Sequence, residues 1–118
     1  MLNQYTVAYI RAAFEDEKSI EKQVNDIEEY CDGNNIISFG FYEEIGEEIT
    51  KEMIEFLKSS CKDKNALILV ASLCILSDDM KKVTDVIAEF KAQGIEIRSL
   101  NQWEMQVLRM QEQTSADG

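Results

Sequence analysis

Histidine and proline are both absent from this chain of 118 residues, and lysine and arginine are few. Without histidine, the commonest metal ligand and the usual general base are missing, which excludes most zinc chemistry and catalysis by a Ser-His or Cys-His pair. We therefore predict no metal site and no cofactor. No repeat or low-complexity stretch marks a linker, so a single domain is expected.

Positive charge is scarce as well, since 12 Lys and Arg face 23 Asp and Glu and the formal net charge is −11. Because protein–DNA association is driven largely by cations that neutralise phosphates, we expect no direct DNA binding by this chain alone. No apolar run of about 18 residues and no charged-then-apolar leader is present, so neither a membrane span nor secretion is expected. These absences predict a cytoplasmic location.

Three cysteines occur without the CxxC spacing of a metal or redox site: Cys31, Cys61 and Cys74. Each falls on an apolar position of a predicted element. Free cysteine is among the most buried residue types, so we expect three buried free thiols rather than a redox or metal centre.

Four short segments have strand character, at 5–10, 36–42, 66–71 and 95–98. Segment 66–71 is apolar throughout, which indicates a central strand covered on both faces. Patterns of helical period follow each strand. The alternation predicts an α/β fold, with a mostly parallel sheet of about four strands and helices on both faces.

The helix ends are predicted from residues with known capping preferences. We expect Ser19, Thr50 and Ser77 to cap the first three helices. Gly33 and Gly94 are expected to end the first and third helices, because glycine adopts the left-handed conformation without strain.

The last segment, 101–118, is predicted to form a C-terminal helix through residue 111 and a frayed tail over 115–118, following a domain of residues 1–100. Asn101 and Glu104 have the spacing of a capping box. The helix carries an apolar stripe of Trp103, Val107, Leu108 and Met110. This stripe either packs on the domain's own core or forms a dimerisation surface.

Three motifs occur in order along the chain: Tyr9-x-Arg11, Ser19-Ile20-x-x-Gln23 and Leu73-x-x-Leu76-Ser77. In order and spacing they resemble the catalytic domain of the small serine recombinases, the resolvase and invertase family, over about residues 5–100. The resemblance implies a three-layer α/β domain, a C-terminal dimerisation helix, and cleavage of DNA by a nucleophilic serine.

The chain departs from this pattern where the chemistry would take place. The retained positions of the family are Arg11, Gln23 and Ser77. The degenerate positions are Ala13, Cys74, Ile75 and Asp78. Ala13 stands at the position of the nucleophilic serine, and a methyl group cannot attack a phosphodiester.

The other departures remove charge. Cys74 replaces an acid, while Ile75 and Asp78 replace arginines that would neutralise the phosphoryl transition state. Two roles remain open for Arg11, an anion site near the first helix or an ion pair with a nearby acid. Gln23 is expected to staple the neighbouring loop through hydrogen bonds.

The leading hypothesis is a catalytically inactive recombinase-like domain that acts through protein contacts. It would form a homodimer or pair with a recombinase-like protein of a mobile element or a site-specific recombination system. One alternative is the catalytic-domain fragment of a working DNA recombinase, and another is a small α/β module that binds an anion. No nucleotide-binding glycine motif is present, and the first strand lacks the paired acids of a response-regulator receiver.

Overall fold

The computed structural model describes residues 5–37 and 39–117, with side chains through Met110. The chain alternates strands and helices: β1 (Tyr5–Ala12), α1 (Glu17–Gly33), β2 (Gly40–Ile45), α2 (Lys51–Cys61), β3 (Ala66–Val70), a 3-10 turn (Leu73–Ile75), α3 (Met80–Lys91), β4 (Glu96–Ser99) and α4 (Gln102–Asp117). All strand pairs are parallel, in the order β2-β1-β3-β4. The predicted α/β class and four-strand sheet are confirmed.

The two faces of the sheet are covered unequally. Val7 and Tyr9 of β1 point into a core that α2 and α3 cover and that Leu108 of α4 completes. Ala8 and Ile10 point to the opposite face, where their cluster is packed by side chains of α1. In the described part of the chain, α1 is therefore the only helix that packs on this face of the four-stranded sheet.

The predicted central position of 66–71 is correct, because β3 lies between β1 and β4 and is buried throughout. The predicted bounds of β2 are wrong. The strand runs over 40–45, paired with Val7–Ala12 of β1, and so includes Glu43 and Glu44, which lie beyond the predicted segment 36–42. An edge strand tolerates these charges because one side of it remains accessible to water.

The first helix begins and ends at different residues from those predicted. Asp16, not Ser19, is the N-cap of α1, and its carboxylate accepts the Ser19 N–H at 3.2 Å. Gly33 lies inside the helix, and Asn35 takes the left-handed conformation with φ of 58°. Asparagine adopts this conformation more readily than most other non-glycine residues, so it serves the same purpose.

Of the remaining predicted helix ends, those at Thr50 and Gly94 are correct and the one at Ser77 is wrong. Thr50 caps α2 as predicted, accepting the Met53 N–H at 3.1 Å, and Gly94 follows α3 with φ of 76°. The cap of α3 is Asp79 rather than Ser77. The Ser77 hydroxyl instead accepts the Asp79 N–H at 3.1 Å, a local turn that leads the chain into the cap.

The C-terminal helix is longer than predicted. Its backbone is helical through Asp117, so the predicted end at 111 is wrong. The fraying of 115–118 stays a prediction, and Gly118 lies outside the described residues. Asn101 accepts the Glu104 N–H at 3.3 Å, which confirms one half of the capping box. Among the described helices, none is long and apolar enough to cross a bilayer.

Candidate functional site

The carboxyl ends of β1, β2 and β3 meet at one edge of the sheet, where parallel α/β folds usually place their sites. The motif residues that follow these strands are brought together there. Arg11 is the centre of this arrangement, because it lies near the end of β1 with only 8% of its surface exposed.

The Arg11 guanidinium donates three hydrogen bonds to backbone carbonyls of two different loops. Its Nε donates to Ile75 O at 2.6 Å and its Nη2 to Cys74 O at 2.9 Å. Its Nη1 donates to Gly46 O at 2.5 Å. Arg11 thereby fixes the loops after β2 and β3 to the end of β1, and we call this arrangement the Arg11 clamp.

The expected ion pair of Arg11 is not formed among the described residues, since its partners are carbonyl oxygens rather than acids. A charged donor to a carbonyl is stronger than a neutral one, so the clamp is a firm structural contact. A guanidinium held this way has few N–H groups left to direct at a phosphate.

Gln23 hydrogen-bonds to the backbone of β1 beyond Ala8, where the pairing of β1 with β3 ends. The Arg11 N–H donates to Gln23 Oε1 at 3.3 Å, and Gln23 Nε2 donates back to Arg11 O at 2.9 Å. The buried amide thus imitates a neighbouring strand, because β3 pairs with β1 only over Tyr5–Ala8. Gln23 is thus a hydrogen-bonding residue as expected, but it holds the end of strand β1 rather than the neighbouring loop.

Sequence reasoning missed the role of Glu44. Its carboxylate accepts the hydroxyl of fully buried Tyr9 at 2.6 Å, together with the N–H and hydroxyl of Thr50. The only sequence signal was that a tyrosine inside a buried strand needs an acceptor for its hydroxyl. Which residue supplies that acceptor depends on the pairing of β1 with β2.

Glu104 was predicted only as part of a capping box, and its side chain does something else. One carboxylate oxygen accepts Leu73 N–H at 2.9 Å and the Ser99 hydroxyl at 2.7 Å, and the other accepts the Ser72 hydroxyl at 2.8 Å. Helix α4 is thereby tied to the loop after β3. No local pattern predicts this, since the partners lie up to 32 residues away.

The degenerate positions surround the clamp without forming a charged pocket. Ala13, Cys74 and Asp78 are exposed, whereas Ile75 is partly buried against the core. The expectation of three buried thiols is therefore correct for Cys31 and Cys61 and wrong for Cys74. Cys74 lies on a turn whose anchors are its neighbours Leu73 and Leu76, so its own side chain points outward.

One known protein family matches most of this chain. The family model described as "Resolvase, N terminal domain" matches residues 6–116. The chain belongs to the resolvase N-terminal domain family. A search of curated proteins found no significant match.

Solved structures with the same fold as this resolvase domain include several serine recombinase domains. The N-terminal catalytic domain of TP901-1 integrase is 16% identical with a TM-score of 0.64, over 95% of this chain and 97% of that one. A resolvase family site-specific recombinase from Streptococcus pneumoniae is 15% identical with a TM-score of 0.67, over 98% and 89%. The C-terminal catalytic domain of ISC1926 TnpA, an IS607-like serine recombinase, is 16% identical with a TM-score of 0.65, over 82% and 70%.

Helix α4 of the resolvase domain divides its predicted apolar stripe between two surfaces. Leu108 packs into the domain's own core, so it does not belong to an accessible patch. Trp103 and Met110 are 70% and 64% exposed, with half-buried Val107 between them on the same side of the helix. Within the described residues, no group of three or more metal-binding side chains is present.

The resolvase domain should lose stability in alkaline solution because of Tyr9. Burial, and then the hydrogen bond to Glu44, raise the pKa of Tyr9 above its ordinary value near 10. Above about pH 10 the unfolded chain releases this proton while the folded chain keeps it. The free energy of unfolding therefore falls above that pH, by up to about 1.4 kcal/mol per pH unit. Urea unfolding from about pH 9 to 11 should show a shallower decline for Tyr9→Phe than for wild type. Parallel declines would contradict this assignment.

Proposed function

We propose that this resolvase domain is catalytically inactive and acts through protein contacts in a mobile-element or site-specific recombination system. The observation that carries the proposal is the environment of Arg11, which is directed at three carbonyl oxygens beside an alanine at the nucleophile position. Strand cleavage needs a nucleophilic oxygen and cations at the phosphate. The retained arginine serves the fold instead.

The partner is a second copy of this chain or a related recombinase domain. The accessible side of α4 supports this proposal, because Trp103 and Met110 are large, apolar and exposed on one side of a helix. Exposed aromatic and methionine side chains are enriched at protein interfaces. The net charge of −11 makes a direct contact of this chain with DNA unfavourable.

The alternative function is that of the catalytic domain of an active recombinase, of which the chain would be a fragment. Membership of the resolvase family favours it. The substitutions at Ala13, Ile75 and Asp78 oppose it, since they remove a nucleophile, remove a cation and reverse a charge.

Association through α4 is tested by placing a charge on the exposed stripe. Trp103→Glu and Val107→Glu are each expected to weaken a wild-type dimer at least about tenfold, because a buried carboxylate without a partner is costly at an interface. Gln106→Glu adds the same charge at an exposed position of the same helix and is the matched control. Sedimentation equilibrium measures the dissociation constants, and circular dichroism verifies that each variant is folded.

A wild-type chain that stays monomeric at high micromolar concentration would exclude the homodimer. In that case, mixing with a recombinase domain tests the heteromer in the same instrument. Failure of both associations would contradict the proposed use of α4.

A further inference from the structure

The uncovered side of edge strand β2 is a largely apolar surface that α4 does not share, interrupted only by the exposed carboxylate of Glu43, which pairs with Ile10 and lies between Phe41 and Ile45. Alternate residues of this strand point to the α1 side of the sheet, as shown by the pairing of Phe41 with Ala8 and of Ile45 with Ala12. Phe41 and Ile45 are nevertheless 39% and 46% exposed. Phe39, whose ring meets that of Phe41 edge-on at 5.2 Å, and Ile37, which is 95% exposed, extend the same surface. We call these four residues the β2 stripe.

Geometry explains why the β2 stripe is left open. Neighbouring strands lie about 4.8 Å apart and a packed helix occupies about 10 Å, so a single helix covers about two strands. Helix α1 packs against β1 and β3. The uncovered surface beside it is one strand wide, so a helix packed on β2 would extend past the open edge of the sheet.

The charged side chains next to the β2 stripe indicate which kind of partner would bind there. A groove of about 620 Å³ runs between the end of α1 and the stripe, with Ile37 and Phe39 on one wall and Glu28, Glu29 and Asp32 on the other. No lysine or arginine lines this groove, and no cation in the described part of the chain pairs with these three carboxylates. The carboxyl end of α1 adds further negative potential.

We propose that the β2 stripe binds an amphipathic helix of a partner protein, with its apolar side on Phe41 and Ile45 and lysine or arginine side chains over the carboxylates of α1. From residue 39 to residue 45 the stripe is about 20 Å long, which matches about 13 residues of helix. A basic helix satisfies both the apolar surface and the carboxylates. A second copy that meets this surface with its own β2 stripe is disfavoured, because the carboxylates of Glu28, Glu29 and Asp32 in the two copies would face one another.

The first test uses a synthetic helix of about 14 leucines and lysines in amphipathic order, and a scrambled peptide of the same composition. Isothermal titration should show saturable binding of one ordered peptide per chain and weaker binding of the scrambled one. The double variant Phe41→Ser with Ile45→Ser should weaken binding at least about tenfold. Met80→Ser removes a comparably exposed apolar side chain from α3 and should leave the affinity unchanged.

The charges are tested separately. The pair Glu28→Gln and Asp32→Asn should weaken binding severalfold, whereas Glu52→Gln with Asp63→Asn removes two exposed charges elsewhere and should have no effect. In nuclear magnetic resonance spectra, the ordered peptide should shift the signals of residues 37–45 and not the indole signal of Trp103.

Three results would overturn the proposal. The scrambled peptide binding as tightly as the ordered one would show attraction by net charge alone. Equal binding by wild type and by the Phe41→Ser, Ile45→Ser protein would place the peptide elsewhere. A dimer that persists in Trp103→Ser but dissociates in the Phe41→Ser, Ile45→Ser variant would show that a second copy occupies the β2 stripe. Since α4 and β2 are probed by different variants, failure here leaves the test of α4 intact.

Discussion

Arg11→Met is expected to destabilise the domain by about 4 kcal/mol. Methionine keeps an apolar side chain of similar length but supplies no donor, so the carbonyls of Gly46, Cys74 and Ile75 lose their charged partner. Hydrogen bonds to charged groups contribute about 1.5–3 kcal/mol each, and relaxation toward water recovers part of the loss. Urea unfolding followed by circular dichroism measures the difference.

Two further variants make this prediction specific. Arg11→Lys keeps the charge but lacks the planar fork that reaches separate oxygens, so it should recover only part of the lost stability. Arg98→Met removes a more exposed guanidinium bound to Glu96 and Tyr30, and should cost under about 1 kcal/mol. Equal stabilities of Arg11→Met and Arg98→Met would show that the Arg11 clamp does not hold the two loops.

Ala13→Ser alone is expected to yield no covalent adduct with DNA. A serine hydroxyl attacks a phosphate only if the developing charge is matched, and Ile75 and Asp78 supply no cation for it. Each missing cation costs on the order of 3 kcal/mol, or about a hundredfold in rate. The Arg11 clamp adds to this deficit, because the one retained guanidinium already binds three carbonyls.

The measurement is a denaturing gel after the Ala13→Ser protein, fused to a DNA-binding domain, is incubated with DNA carrying the site of that domain. The unmodified fusion is the matched control. Adding Ile75→Arg and Asp78→Arg should restore part of the missing positive charge, although Ile75 packs partly against the core and its replacement also costs stability. Efficient adduct formation by the single variant would indicate a recombinase disabled at one position, and would contradict the proposed inactivity.

The sequence by itself determined the elements and their order. The apolar run 66–71 predicted a buried central strand because only a strand covered on both faces is apolar throughout. The helical period of the residues that follow the strands predicted α2 and α3, and Thr50 was identified as a cap from its own chemistry. The three motifs, in their order and spacing, were sufficient to indicate the resolvase family.

Only the tertiary structure decided which residues meet. The partners of the Arg11 guanidinium lie 35 to 64 residues away, and those of Glu104 up to 32, so no local period specifies them. Leu108 and Trp103 looked alike as members of one stripe, yet one is in the core and the other exposed. Two residues four or five positions apart on a helix can lie on opposite sides of the boundary between its buried and its exposed surface. The packing of the helix against the domain sets that boundary. The pairing of β2 with β1 likewise placed Phe41 and Ile45 on the α1 face of the sheet, but on an edge strand that α1 does not cover.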